Sequence, residues 1–178
     1  MKGKNGEDAA ELLNWAKEHT KSFLITAKAL LPAEWQLDMD SRTKPNKFIK
    51  KVFKGQSNLL SPWWTTTTFF DTFTGQVHQD PLDHQPSFLF NFGAPCLLVL
   101  HDYGINIWLD PLNIVVFNTN TLKHSTEAAG EDQGRWAFSA FYRKSIYEEM
   151  GPSQIGQKTL DRILGPEDVK TRVPGANK

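Results

Sequence analysis

HQDPLD, residues 78–83, is the stretch that decides how the rest of the chain is read. In a strand, residues two apart point to the same side. His78 and Asp80 are therefore expected to converge on one point. A metal held there needs a third ligand from elsewhere in the chain. His124 follows the apolar segment 114–118, far enough beyond His78 for several short strands to bring the chain back. Two imidazoles and one carboxylate on one face, with open positions opposite, suit a non-haem Fe(II) centre.

The texture around this stretch is that of strands. Segments 65–74, 87–92, 96–101, 105–109, 114–118 and 136–142 are rich in aromatic and β-branched residues, which favour extended backbone. Turn material separates them: Asp80-Pro81, Gly93-Ala94-Pro95, Asp102-Tyr103-Gly104, Asp110-Pro111 and Gly130-Glu131-Asp132. Many short strands in close succession predict a mainly β chain with flanking helices and a double-stranded β-helix (jelly roll) core over 63–147.

Helical patterning lies outside that core. Asp8 and Glu11 fit a capping box, and Ala9, Leu12, Leu13, Ala16, Thr20, Phe23, Leu24, Ala27, Leu30 and Leu31 recur at helical spacing up to Pro32. A shorter helix is predicted over 45–54, and a modest one over 153–164. The chain thus reads as one domain, 1–178, with a helical N-terminal part (8–55), the β core, and a helical tail (153–172).

Arg135 completes the pattern. It opens the last predicted strand, whose inward face carries Arg135, Ala137 and Ser139. A guanidinium is a natural bidentate partner for a carboxylate, and two small residues beyond it leave room for a slim dicarboxylate. The order HxD, distal His, Arg is the one required by a double-stranded β-helix that binds Fe(II) and 2-oxoglutarate and reacts with dioxygen. Two other readings stay open. The histidines could be ordinary core or surface residues, with Arg135 a surface ion-pair partner. Alternatively, a cupin-like barrel could hold a different metal, with His84 or His101 as ligands. Pro81 is expected to end the first strand, which makes His84 a rim residue, and His101 reads as structural.

Composition limits the partners. The chain has 178 residues with zero formal net charge, so no global positive field draws it to nucleic acid and any such contact needs a local patch. The single cysteine, Cys96, excludes an internal disulfide and a CxxC metal site. No apolar leader precedes the early acidic residues, and no run approaches the roughly 20 apolar residues of a membrane span. An intracellular protein without a membrane is expected.

Four segments together resemble the Tet/J-binding-protein family of dioxygenases, especially its small Tet-like fungal members: HQDPLD (78–83), FLFNFG (88–93), LNIVVFNTNTLKH (112–124) and RWAFSAFYRKS (135–145). The resemblance covers about 63–147. Leu112-Asn113 stands where the family often has Gly-Asp, and Ala94-Pro95 where it often has Gly-Gly. The resemblance implies oxidation of a methylated base, chiefly 5-methylcytosine in DNA and in some relatives N6-methyladenine, and with it a nuclear location. It also implies that Asp83, three residues beyond the HxD aspartate, contacts the target base. A carboxylate there can accept from the exocyclic amine of cytosine or adenine, which thymine lacks.

A base inside a duplex must be flipped out to reach a buried metal, and the backbone must be met by cations. Lys44, Lys47, Lys51 and Lys54 lie along one side of the second predicted helix, and Trp63-Trp64 or Phe70 could stack on a flipped base. The lysines could equally be a solvated helix face, and the aromatics core packing. Two further alternatives remain: a same-fold dioxygenase acting on a small molecule or protein side chain, and a non-catalytic module that binds DNA. No protein partner is indicated.

Overall fold

A computed structural model describes residues 4–52, 61–72, 74–128 and 134–148. Two compact units emerge: Trp64–Lys144 forms one, and the chain before and after it forms the other. The predicted C-terminal helix and Lys54 lie outside the described residues, as does the turn at 130–132.

The first unit is helical. Helix α1 (Lys4–Leu30) is followed by α2 (Ala33–Ser41), α3 (Thr43–Val52) and, on the return of the chain, α4 (Lys144–Glu148). Helix α1 starts before Asp8, so Asp8 and Glu11 lie inside it and are not its cap. Its buried stripe is Ala16, Thr20, Leu24 and Ala27, spaced four, four and three apart, as one helix face requires. The stripe is narrower than the sequence pattern implied, because Leu12 and Leu30 are exposed. Helix α2 has no counterpart among the sequence expectations. At its end Arg42 is wholly buried, its Nη2 donating to Asp38 Oδ2 at 2.9 Å and its Nη1 to the Trp63 carbonyl.

The second unit is the β core. Its strands are β1 (Thr66–Asp71), β2 (Asp83–Asn91), β3 (Cys96–Leu100), β4 (Ile105–Leu109), β5 (Ile114–Phe117), β6 (His124–Ala128) and β7 (Trp136–Arg143). They form two antiparallel sheets, ordered β1-β7-β2-β5 and β4-β3-β6. This jelly-roll-like arrangement agrees with the predicted fold class. Three strands differ from expectation, β1 by ending at Asp71 where the sequence pattern runs to 74. Strand β2 begins at Asp83, passing through a cis Gln85-Pro86 bond and a register shift between His84 and Phe88. Strand β6 was not foreseen at all.

Alternation sorts the side chains of the four-stranded sheet. Leu89 joins Cys96, Leu98, Leu100, Leu109 and Phe117 in one buried cluster. On the opposite face Phe90 stacks on Phe138 (centroids 4.3 Å), and Trp64 packs on Phe88 and Phe90 at 5.6 and 6.0 Å.

Gly93 lets the end of β2 reach the start of β7. Its N–H and that of Phe92 both donate to the Trp136 carbonyl, at 3.0 and 2.7 Å. A Cβ at position 93 would meet the Trp136 nitrogen at 2.3 Å and the Gly134 carbonyl at 2.5 Å. Those are backbone atoms with no rotamer to escape into. Gly93→Ala is expected to destabilise the protein by about 2–3 kcal/mol, read as a lowered midpoint in urea; an unchanged midpoint would rule out the close approach.

Candidate metal centre

The segment carrying His78 runs beside β6. His78 and His124 exchange both backbone hydrogen bonds, N–H to carbonyl at 3.0 and 2.9 Å. The HxD stretch is therefore a single bridge and not the strand expected from sequence. Asp80 is placed by a separate tie, its N–H donating to the Thr119 carbonyl at 2.9 Å. After a turn at Pro81-Leu82 the chain enters β2, so it crosses here from one sheet to the other.

His78, Asp80 and His124 form a cluster able to hold a metal ion, with one potential ligand atom from each lying within 4.8 Å of the others. Asp80 Oδ2 is 3.7 Å from Nε2 of each histidine. Donors around one ion at about 2.1 Å stand roughly 3–3.5 Å apart, so side-chain shifts on the order of 1 Å, of the rings as well as the carboxyl, close the set. The tautomers are fixed. His78 Nδ1 lies 2.6 Å from the Gln76 carbonyl and His124 Nδ1 lies 2.9 Å from the Leu122 carbonyl. A carbonyl only accepts, so each Nδ1 carries the proton and each Nε2 keeps its lone pair for a metal. Burial, which disfavours the charged imidazolium, pushes His124 below its ordinary pKa, and the neighbouring His78 pushes the same way. His124 is thus a neutral ligand near pH 7. The donor set fits a 2-His-1-carboxylate iron site.

The cluster opens into a cavity of about 670 Å³, within the usual range for ligand sites. Alternate residues of the β7 segment line it: Arg135, Ser139, Phe141 and Arg143. Arg135 stands just before β7 and is 5% exposed, with Nη1 3.4 Å from Thr126 Oγ1. Cys96, fully buried, also lies against Arg135. Burial pushes its thiol up despite the nearby positive charge, so it stays protonated.

Asp83 lines the same cavity and is 3% exposed. Burial, then the negative charge of Asp80, pushes its carboxyl up to about 7, against the opposing pull of Arg143 and Thr119. Arg143 Nη1 and Thr119 Oγ1 each lie 3.5 Å from an Asp83 carboxyl oxygen. The Arg143 guanidinium also sits 4.8 Å over the Phe141 ring.

No family model matches this chain, and no curated protein matches it. Solved structures that do match include NgTET1 in complex with 5mC DNA, at 22% identity over 56% of this chain and 40% of that one, with a TM-score of 0.47. A Cupin 2 conserved barrel domain protein from Salinispora arenicola matches at 12% identity, over 51% of this chain and 77% of that one, with a TM-score of 0.37. The plu4264 protein from Photorhabdus luminescens matches at 9% identity over 48% and 59%, with a TM-score of 0.30. This chain spans two fifths of the NgTET1 chain.

The residues singled out from sequence divide clearly. His78, Asp80, Asp83, His124 and Arg135 all line the one cavity, as does Phe70. Trp64 does not, and the expectation that it stacks on a base is corrected: it is 5% exposed and its ring packs on those of Phe88 and Phe90. Lys47 and Lys51 are exposed on α3, in the helical unit. His84 and His101 do not belong to the metal cluster; His101 Nε2 pairs with Ser125 Oγ at 2.8 Å. Sequence reasoning missed Phe141 and Arg143. The signal was available: they continue the two-residue alternation from Arg135 through Ser139.

Proposed function

We propose that this protein is an Fe(II)/2-oxoglutarate-dependent dioxygenase that oxidises a methylated nucleobase, 5-methylcytosine in DNA first and N6-methyladenine second. The observation that carries the reading is that the His78-Asp80-His124 cluster, Arg135 and Asp83 line one cavity. Iron with 2-oxoglutarate supplies an oxidant from dioxygen, with succinate and carbon dioxide as by-products.

The chain's own residues do the rest. His78, Asp80 and His124 hold the metal through two Nε2 atoms and a carboxylate. Arg135 takes the distal carboxylate of 2-oxoglutarate in a buried setting, where a charge-assisted hydrogen bond is strong. Asp83 accepts from the exocyclic amine of the base while Arg143 donates to its ring nitrogen or carbonyl, and Phe141 offers an aromatic face. A methylated-DNA substrate has to be flipped into the cavity, and it makes the nucleus the place of action. No described helix is long and apolar enough to cross a membrane.

Nucleoside mass spectrometry tests this reading directly. The protein is incubated with Fe(II), ascorbate, 2-oxoglutarate and oligonucleotides carrying 5-methylcytosine or N6-methyladenine, and succinate is followed in parallel. Oxidised base that requires both iron and 2-oxoglutarate is expected. Succinate without oxidised base points to a small molecule or protein side chain as substrate. Neither product points to a non-catalytic module.

Lys47 and Lys51 are proposed to meet phosphates. Each lysine removed by Ala should weaken DNA binding across all sequences and reduce the log–log salt slope by about 1. An unchanged slope in the double variant would return these lysines to being a solvated helix face.

A further inference from the structure

Strand β4 is a bare edge of the three-stranded sheet. It pairs with β3 along all five of its residues, and no strand takes its other side among the described residues. An edge presents a row of backbone N–H and C=O groups to any strand that arrives, and folded chains usually blunt it with charge, proline or a bulge. Strand β4 reads Ile-Asn-Ile-Trp-Leu in unbroken register and has none of these. The other edges are protected. Gly75 and His78 hydrogen-bond along β6, β1 carries three threonines and Asp71, and the side chains of β5 are half-buried or buried. Large apolar side chains gather on the same hairpin. Tyr103 is 68% exposed, Trp108 54% and Leu112 73%, with Ile105 exposed among them. Four such residues between positions 103 and 112 form a patch, and a contiguous exposed apolar patch marks an interaction surface.

The strand is its own complement. A two-fold axis normal to the sheet lays β4 antiparallel to a second β4 and keeps each side chain on its own face. Centred on Ile107, this pairing uses all five residues of the strand. Ile105 of one copy then stands opposite Leu109 of the other, and Asn106 opposite Trp108. Tyr103, just before the strand, comes to the end where the other copy carries Leu112. Asp110 falls opposite Gly104, so no like charges meet. The formal net charge of zero leaves no overall repulsion between copies. We propose that β4 is a homodimerisation edge, through which two copies join their three-stranded sheets into one continuous sheet. Backbone groups alone would accept any strand; the apolar side chains matched at both ends select a second copy. None of the residues involved lines the cavity, so the dimer does not depend on the proposed chemistry.

Sedimentation velocity on the whole chain, from about 1 to 200 µM, tests the pairing. A shift from monomer to dimer is expected, with no larger species, because a two-fold interface closes on itself. Trp108→Lys is expected to weaken the dimer roughly 10-fold or more, since the loss occurs twice across the axis. Its urea midpoint at low concentration should not move, because the Trp108 side chain is exposed. Adding Asn106→Glu to Trp108→Lys sets opposite charges across the axis and should recover part of that loss. A chain that stays monomeric throughout overturns the proposal. So does a dimer that Trp108→Lys leaves intact, a paired substitution that recovers nothing, or growth beyond the dimer. If Trp108→Lys lowers the urea midpoint, Tyr103→Ser in the exposed turn decides: a weaker dimer supports the pairing, and an unchanged one overturns it.

Discussion

Asp80→Ala is expected to lower turnover by roughly three orders of magnitude or more while the protein stays folded. The carboxylate is one of three groups placed to hold a metal ion, and its side chain is 39% exposed. What fixes the segment is the Asp80 N–H to the Thr119 carbonyl, and alanine keeps that bond. Removing the carboxylate also relieves its repulsion of Asp83. Metal content by mass spectrometry should fall, the thermal melt of metal-free protein should not, and succinate formation should vanish. His78→Ala should behave the same way, because its ring is exposed and its backbone bridge to His124 survives. Full activity in a folded, metal-poor variant would sink the assignment.

Asp83 carries the second large effect, on substrate choice and on stability with opposite signs. On the proposed reading, Asp83→Ala leaves the amine of the base without its acceptor and should lower kcat/KM on 5-methylcytosine roughly 10- to 100-fold. Asp83→Asn is the stability experiment. An unfolded aspartate ionises near 3.8, whereas folded Asp83 holds its proton to about 7. Between those values the folded chain binds the extra proton, so its stability falls as pH rises. Above pH 7 the loss is complete, on the order of 4 kcal/mol. Asparagine removes that titration. In chelator-treated protein, the urea midpoint of Asp83→Asn should gain on that of the unsubstituted chain as pH rises from 5 to 8. Parallel pH profiles would show that Asp83 titrates normally in the fold.

The sequence made the cluster legible because its geometry is local or directional. His78 and Asp80 are two residues apart, and Arg135 stands immediately before an obvious strand. What sequence hid has identifiable causes. Strand β6 reads His-Ser-Thr-Glu-Ala, with no apolar alternation, because the residues it turns inward, His124 and Thr126, line the cavity at the metal cluster and not the apolar core. Strand β2 starts early because Pro86, a strand breaker by default, sits beside a register shift that absorbs it. Helix α2 buries only Met39 among its residues, too little to leave a period. Trp64 is aromatic and lies in the right region, yet one residue's type does not reveal which face of the sheet it covers.

The reciprocal backbone bridge between His78 and His124 also bears on metal supply. The two imidazoles are positioned by the polypeptide and oriented by carbonyls, so little reorganisation accompanies capture of an ion. Such a socket discriminates weakly at rest. By the ordinary ordering of divalent affinities, nickel, copper and zinc all outcompete iron for nitrogen and oxygen donors. The metal recovered with the purified protein will therefore reflect what the host cell offered, and a catalytically silent preparation is first a question of which ion fills the socket.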